Sequence, residues 1–160
     1  MKRGFLILAA VFSLALTSCV SSTTAPEQAP PAPGHGALAI AIVPNPIVAT
    51  RVSGSTYDFP FDVHVSNSGS LPVTIDRIDM DVTALGGVRI YSKSMTATDI
   101  RQYGYPTAVP AGQSLSYHFA PREQVPDERL FSGVSALLTA SGADSSGQHV
   151  SASTSVSVTR

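Results

Sequence analysis

The apolar positions along the chain follow two different patterns. Residues 4–16 are almost continuously apolar. From Ala37 onward, apolar residues recur at every second position, as in Phe61, Val63 and Val65. Successive side chains of a β-strand point to opposite faces, so this alternation predicts strands with one buried face.

Turn-forming residues divide residues 37–160 into seven to eight short strands. The predicted strands cover residues 37–43, 47–52 as a continuation beyond a proline kink, 59–66, 71–83, 88–93, 115–119, 133–141 and 149–159. Residues 94–109 are less regular, and residues 121–129 are a loop with room for one helical turn. Short strands without a convincing helix predict an all-β fold, an antiparallel β-sandwich.

The predicted strand at residues 71–83 changes phase in its middle. Val73 and Ile75 share one face, but Ile78 and the apolar positions after it alternate out of phase with them. A shift of one residue turns every following side chain to the other face. The sequence therefore predicts either a β-bulge near Asp76-Arg77 or a strand that changes sheets there.

The N-terminal segment has the layout of an export signal. Lys2 and Arg3 precede the apolar run, and small residues lead to the one cysteine, in Leu16-Thr17-Ser18-Cys19. A transmembrane helix needs about 20 apolar residues, which is more than this run supplies.

The four residues Leu16-Thr17-Ser18-Cys19 resemble a bacterial lipobox. In that family the signal is cleaved before the cysteine, here between Ser18 and Cys19, and the thiol receives a diacylglycerol. The resemblance implies a signal peptide of residues 1–18 and a lipid on Cys19 that binds the membrane. A plain signal peptide with a chance cysteine is the alternative.

The residue after the cysteine bears on location in the cell envelope. It is Val20 rather than aspartate, and by resemblance to Gram-negative lipoproteins this favours the outer membrane over the inner membrane. In a host with one membrane, the lipid would sit in the outer leaflet of that membrane.

Residues 19–36 differ in composition from the rest of the chain. Residues 20–36 contain four prolines and no periodic apolar pattern, so they bury too little apolar surface to offset the entropy of ordering. We predict a disordered tether that could hold the domain of residues 37–160 up to ~50 Å from the membrane. His35, between two glycines, is expected to be a neutral linker residue.

Charge argues against a nucleic-acid partner. Loss of Lys2 and Arg3 with the signal lowers Lys+Arg from 10 to 8 while 11 acidic residues remain, a net charge of −3. Proteins that bind nucleic acid need a basic patch, and the sequence has no run of like charges.

Residues 61–75 resemble the paired strands of bacterial immunoglobulin-like domains. The resemblance lies in an alternating strand, then Asn67-Ser-Gly69, then a strand that opens with Pro72-Val73. Residues 109–115 resemble the Pro-x-Gly turn that precedes a strand in those domains. The first stretch, extended to Gly87, also resembles the water-stress and hypersensitive-response (WHy) family, also called late-embryogenesis-abundant type 14. Both resemblances imply an immunoglobulin-like sandwich.

The residue types needed for catalysis or metal binding do not form a recognisable pattern. There is no Gly-x-Ser-x-Gly motif, and His64, His118 and His149 fall on the polar phase of separate strands. Asp79 and Asp81 are expected to face water, with Arg77 as a partner. We predict no catalytic residue, no metal site, no cofactor and no enzymatic activity.

Two segments are candidates for contact with a partner. Tyr103 and Tyr105 lie in the irregular stretch, where tyrosines form either a binding surface or a cover over the end of a sandwich. Residues 121–131 are the second candidate.

Three classes of function follow, in order of preference. The first is a lipid-anchored, non-enzymatic binding or scaffold domain with a protein partner in the envelope. The second is a protective or inhibitory domain, of the WHy or the protease-inhibitor type, that acts on envelope proteins. The third is a hydrolase or metal-dependent enzyme.

We expect Cys19→Ser to abolish membrane retention without unfolding residues 37–160, because the anchor lies outside the predicted core. Cell fractionation measures retention, and a thermal melt compares the variant with the parent chain. Recovery of the variant in washed membranes would contradict the lipid-anchor hypothesis.

Overall fold

A computed structural model describes residues 34–160 of the protein. The predicted signal peptide, Ser18, Cys19 and most of the predicted tether lie outside the described residues. The strands are β1 (Leu38–Val43), β2 (Ile47–Val48), β3 (Thr50–Ser53), β4 (Thr56–Asp58), β5 (Phe61–Asn67), β6 (Val73–Thr83), β7 (Arg89–Thr96), β8 (Ala108–Val109), β9 (Ser114–Phe119), β10 (Arg122–Gln124), β11 (Ser135–Asp144) and β12 (His149–Thr159). Helix α1 (Ala97–Gln102) and a 3-10 helix (Glu128–Phe131) complete this part of the chain.

The strands form two main sheets and one small sheet. One main sheet has the order β1-β5-β9, and the other has the order β2-β12-β11-β6-β7, with β8 also paired to β6. The small sheet has the order β10-β4-β3. Pairing is antiparallel except between β2 and β12. Within residues 34–160, seven strands have six or more residues. The predicted all-β, antiparallel, immunoglobulin-like β-sandwich is confirmed.

The core lies between the inner faces of the two main sheets. Val63, Val65 and Tyr117 come from the smaller main sheet and are completely buried. Ile75 and Leu138 come from the larger one and belong to the same apolar cluster. Burial of apolar surface stabilises such a core by roughly 25 cal/mol per Å². These buried residues are ones that the period-two pattern of the sequence places on inner faces.

The phase change in β6 is a β-bulge. In the pairing of β6 with β11, Ser141 lies opposite Arg77 and Gly142 lies opposite Ile75, which leaves Asp76 without a partner residue. A Cβ atom on Gly142 would overlap the carbonyl oxygen of Thr74, so a glycine is needed where the strands come this close. The bulge keeps Ile75 and Ile78 both in the core and confirms the first of the two alternatives.

Two expectations about local structure were wrong. Residues 47–52 do not continue the first strand, because β2 pairs with β12 of the opposite sheet and β3 pairs with β4. The irregular stretch contains helix α1, which starts at a capping box between Thr96 and Asp99 and is held by buried Ile100. Neither helix in residues 34–160 has the length and apolar character needed to cross a bilayer.

The folded domain begins a few residues earlier than predicted. Residues 34–36, expected to end the tether, are hydrogen-bonded into the domain: the His35 carbonyl accepts from Ser70 N at 3.0 Å. Gly36 N donates to Asp144 Oδ2 at 2.9 Å. Sequence periodicity could not show this, because these contacts use backbone atoms of residues that have no apolar pattern.

Two buried polar side chains hold the start of the domain. Asn67 accepts from Ala37 N at 3.1 Å and donates to the carbonyls of Leu71 and Val109. Asp144, 5% exposed, also accepts from the backbone N–H groups of Ser146 and Gln148. Hydrogen bonds from the Ser146 hydroxyl and the backbone lower the pKa of Asp144 to about 2. Asp144 is therefore a turn residue that closes the β11–β12 hairpin. It also binds Gly36, at the start of the folded domain, to this hairpin.

We expect Asp144→Asn to lower the melting temperature at pH 7 by several degrees, because an amide cannot accept all these hydrogen bonds. The folded pKa lies below the unfolded value of about 3.9. The stability that the carboxylate contributes is therefore fully present above about pH 4 and is lost as the pH falls through about 2.

Thermal melts from pH 7 to pH 2 measure this contribution. The deficit of Asp144→Asn relative to the wild type should narrow as the pH falls. Asp76→Asn, which changes an exposed aspartate, is the control and should have almost no effect at pH 7. A deficit of the same size at pH 7 and pH 2 would contradict the role given to Asp144.

Candidate functional site

The three strand histidines do not converge. His118 Nδ1 lies 2.8 Å from Asp62 Oδ1 on the neighbouring strand, and His64 lies opposite Ser116. His149 begins β12, in the other main sheet. Within residues 34–160, no group of three His, Cys, Asp or Glu side chains is close enough to hold a metal ion.

The acidic cluster on β6 has a different ion-pair partner from the expected one. Asp81 Oδ1 lies 3.3 Å from Arg89 Nε on β7, whereas Arg77 forms no ion pair with the described carboxylates. Pairing of β6 with β7 brings Arg89 beside the last residues of β6. The strand neighbour, rather than the sequence neighbour, therefore determines the pair.

The two candidate tyrosines occupy different environments. The Tyr105 hydroxyl donates to the His118 carbonyl at 2.9 Å and accepts from His118 N at 3.1 Å. Its ring packs edge-on against Tyr117, with 5.5 Å between ring centroids. Tyr103 is 64% exposed. Tyr105 thus covers the side of the sandwich, and Tyr103 is the member of the pair that is available for contact.

Residues 121–131 cover an apolar channel between the sheets at one end of the sandwich. Its volume is about 420 Å³, within the range of small-molecule sites. The floor is one side chain from each of four neighbouring strands, namely Val158, Ala136, Val82 and Tyr91. Phe59 and Phe61 also line the channel. The cover contributes residues with apolar rings or branched chains: Pro121, Val125, Pro126, Leu130 and Phe131.

The cover is tied to the small sheet. Arg122 forms a two-point ion pair with Asp58, at 2.7 and 2.9 Å, and this pair lowers the pKa of Asp58. Glu128 accepts from the Tyr57 hydroxyl at 2.7 Å and also pairs with Arg51 and Arg160. The Phe131 ring lies edge-on against Tyr57, 5.1 Å between centroids. These contacts hold the segment over the channel.

Exposure increases from one end of the channel to the other. At the inner end Ile47 is 3% exposed, whereas at the outer end Ile90 on β7 is 48% exposed. Glu123 and Gln124 line the outer end, and Glu123 is the one charged residue among the described lining residues. Burial raises the pKa of Tyr91, and the charge of Glu123 adds to the shift. The outer end is therefore the mouth of the channel, and it carries a carboxylate beside a neutral hydroxyl.

The channel lies far from the point where the chain enters the domain. β11 runs from Ala136, in the channel floor, to Asp144, which holds Gly36. Eight residues of extended strand separate these two side chains by about 26 Å. The sandwich thus has an entry end, where the chain is fastened, and a channel end.

The sequence identified this site only in part. The sequence predicts contact at residues 121–131, and its alternation predicts inner faces for the strand that contains Phe61 and for the apolar positions after Ile78. That these faces leave an unfilled channel depends on packing across the two sheets, which alternation does not reveal. Glu123 and Tyr91 had no sequence signal.

Comparisons with known proteins support the fold alone. Neither a protein-family model nor a curated protein matches the chain. A Bordetella pertussis protein provisionally assigned as ApaA is 13% identical with a TM-score of 0.53, covering 80% of this chain and 97% of its own. A structural-genomics target, SoR45, is 12% identical with a TM-score of 0.50, covering 78% and 87%. The chain is similar in fold to these β-domains.

We expect Tyr105→Phe to lower the free energy of unfolding by about 1 kcal/mol, since it removes two hydrogen bonds to His118. Tyr103→Phe, at an exposed ring, is the matched control and should cost less than about 0.5 kcal/mol. Urea unfolding measures both. Equal effects would show that the Tyr105 hydroxyl does not fasten this side of the sandwich.

Proposed function

We propose that the protein is a lipid-anchored, non-enzymatic binding domain of the cell envelope. The observation that carries the proposal is the arrangement of the two ends of the sandwich. The chain enters at Asp144 and Asn67, while the apolar channel opens about 26 Å away along β11. A lipid on Cys19 followed by a tether would then leave the channel end free to meet a partner.

The surface around the channel mouth supports a role in binding. Leu85 is 79% exposed and Val88 is 62% exposed, both in the turn between β6 and β7, and Ile90 continues this apolar surface to the mouth. Exposed apolar residues that adjoin a pocket are a common property of interaction sites. The proposed partner is an envelope protein that meets this end of the domain.

Location follows from the lipobox resemblance and is proposed with it. A lipid on Cys19 would place the protein at a membrane of the envelope, and Val20 favours the outer membrane in a Gram-negative host.

Site-specific photocross-linking in cells tests this proposal. A photoreactive residue in place of Val88, at the channel end, should yield one stoichiometric cross-linked partner. The same residue in place of Ser145, in the hairpin at the entry end, is the control and should yield little product. Equal products from both positions, or a diffuse set of many proteins, would contradict the proposal and favour the protective domain.

A further inference from the structure

The shape of the channel limits what it can bind. Its floor crosses four neighbouring strands, β12, β11, β6 and β7, which spans about 14 Å at the usual strand spacing. Every side chain of the floor except Tyr91 is aliphatic. A slot that is long and apolar, with buried side chains at its inner end, complements one extended hydrocarbon chain.

The chemistry of the channel mouth limits the other end of the ligand. Glu123 supplies the one charge of the described lining, and Gln124 lies beside it. A carboxylate repels an anionic group and attracts a cation, whereas the amide can donate to or accept from an uncharged polar group. The mouth therefore suits a cationic or uncharged head.

The inner lining of the channel has no polar side chain that could hold water. An apolar cavity of this kind stays dry unless water finds polar partners, and the inner lining of Ile47, Ala136 and Val158 has none in its side chains. A hydrocarbon chain would fill the space at little cost in desolvation.

We propose that the channel binds a single alkyl chain that carries a cationic or uncharged polar head, with the chain along the floor and the head beside Glu123. This inference deepens the proposed binding function by naming a ligand class. Such a chain reaches the envelope either on a lipid or on an acylated protein, and the channel recognises the chemistry that the two share.

The test uses the mature chain, residues 19–160, with Cys19→Ser so that no attached lipid competes. Three probes with twelve-carbon chains are titrated below their micelle concentrations: dodecyl maltoside, dodecyltrimethylammonium and dodecanoate. Calorimetry measures affinity, and methyl NMR shifts locate the probe. We expect binding of the first two, with shifts at Met80, Val82 and Ala136 and none at Val150, which packs at the entry end. No saturable binding, or shifts spread over the whole domain, would overturn the proposal.

Chain length and head charge give two further readouts. Shortening the chain should weaken binding by up to about fourfold per methylene, and lengthening it beyond the channel should add little. Glu123→Gln should strengthen dodecanoate binding and weaken dodecyltrimethylammonium binding, each by up to about fivefold for a solvent-exposed charge. The proposal would be overturned if affinity did not depend on chain length. It would also be overturned if Glu123→Gln changed the affinity for both charged probes in the same direction.

A blocking variant and its control distinguish binding in the channel from binding elsewhere on the surface. Val82→Phe places a ring in the channel floor and should abolish dodecyl maltoside binding. Val150→Phe makes the same change on the inner face of the same sheet, on β12 and outside the channel, and should leave binding intact. If Val82→Phe fails to fold, the NMR shifts of the wild type still decide the question.

Two competitors distinguish the two possible sources of the alkyl chain, a lipid and an acylated protein. Monolauroylglycerol, whose head is uncharged, stands for a lipid, and an N-lauroylated peptide with an uncharged sequence stands for an acylated protein. The competitor that displaces dodecyl maltoside at the lower concentration identifies the source. If neither competitor displaces it, the proposal is overturned. Failure to bind alkyl chains, with a single cross-linked protein at position 88, would leave the proposed binding function standing.

Discussion

The β-bulge at Asp76 is the constraint on which the rest of the structure depends. β6 is paired along its length with β11 on one side and with β7 and β8 on the other, so it runs through the larger sheet. Without the extra residue, either Val73 and Ile75 or Ile78 and the following positions would face water. With it, one half of β6 fills the core and the other half, through Met80 and Val82, contributes to the channel lining.

The two ends of the sandwich are stabilised by different interactions, buried hydrogen bonds at one end and apolar packing at the other. At the entry end, buried Asn67 and Asp144 satisfy backbone groups that the strands leave unpaired, so this end is specific and closely packed. At the channel end, rings and aliphatic chains meet around a volume of about 420 Å³ that they do not fill. The entry end is thus held by buried hydrogen bonds, whereas the channel end leaves space between its side chains.

Alternation along the chain was sufficient to predict the sandwich and the inner face of β5. It also predicted either a bulge or a change of sheet in β6, and the structure shows the bulge. These features depend on side-chain periodicity, which a sequence displays directly. The short helix α1 was missed although Thr96 and Asp99 have the spacing of a capping box, because a single buried residue, Ile100, supports it. The change of sheet at β2, the roles of Asn67 and Asp144, and the channel depend on contacts between distant segments. A local sequence pattern does not indicate which distant segments are in contact. The lipid on Cys19 remains a prediction from the lipobox resemblance.

Deletion of Asp76, followed by urea unfolding, tests the central claim most directly. Removing the bulge residue should turn part of the inner face of β6 outward and lower the free energy of unfolding by at least about 3 kcal/mol, the scale of losing one large aliphatic side chain from a core. Asp76→Ala keeps the residue count and is the control, with an expected cost below about 1 kcal/mol. A deletion variant as stable as Asp76→Ala would contradict the account.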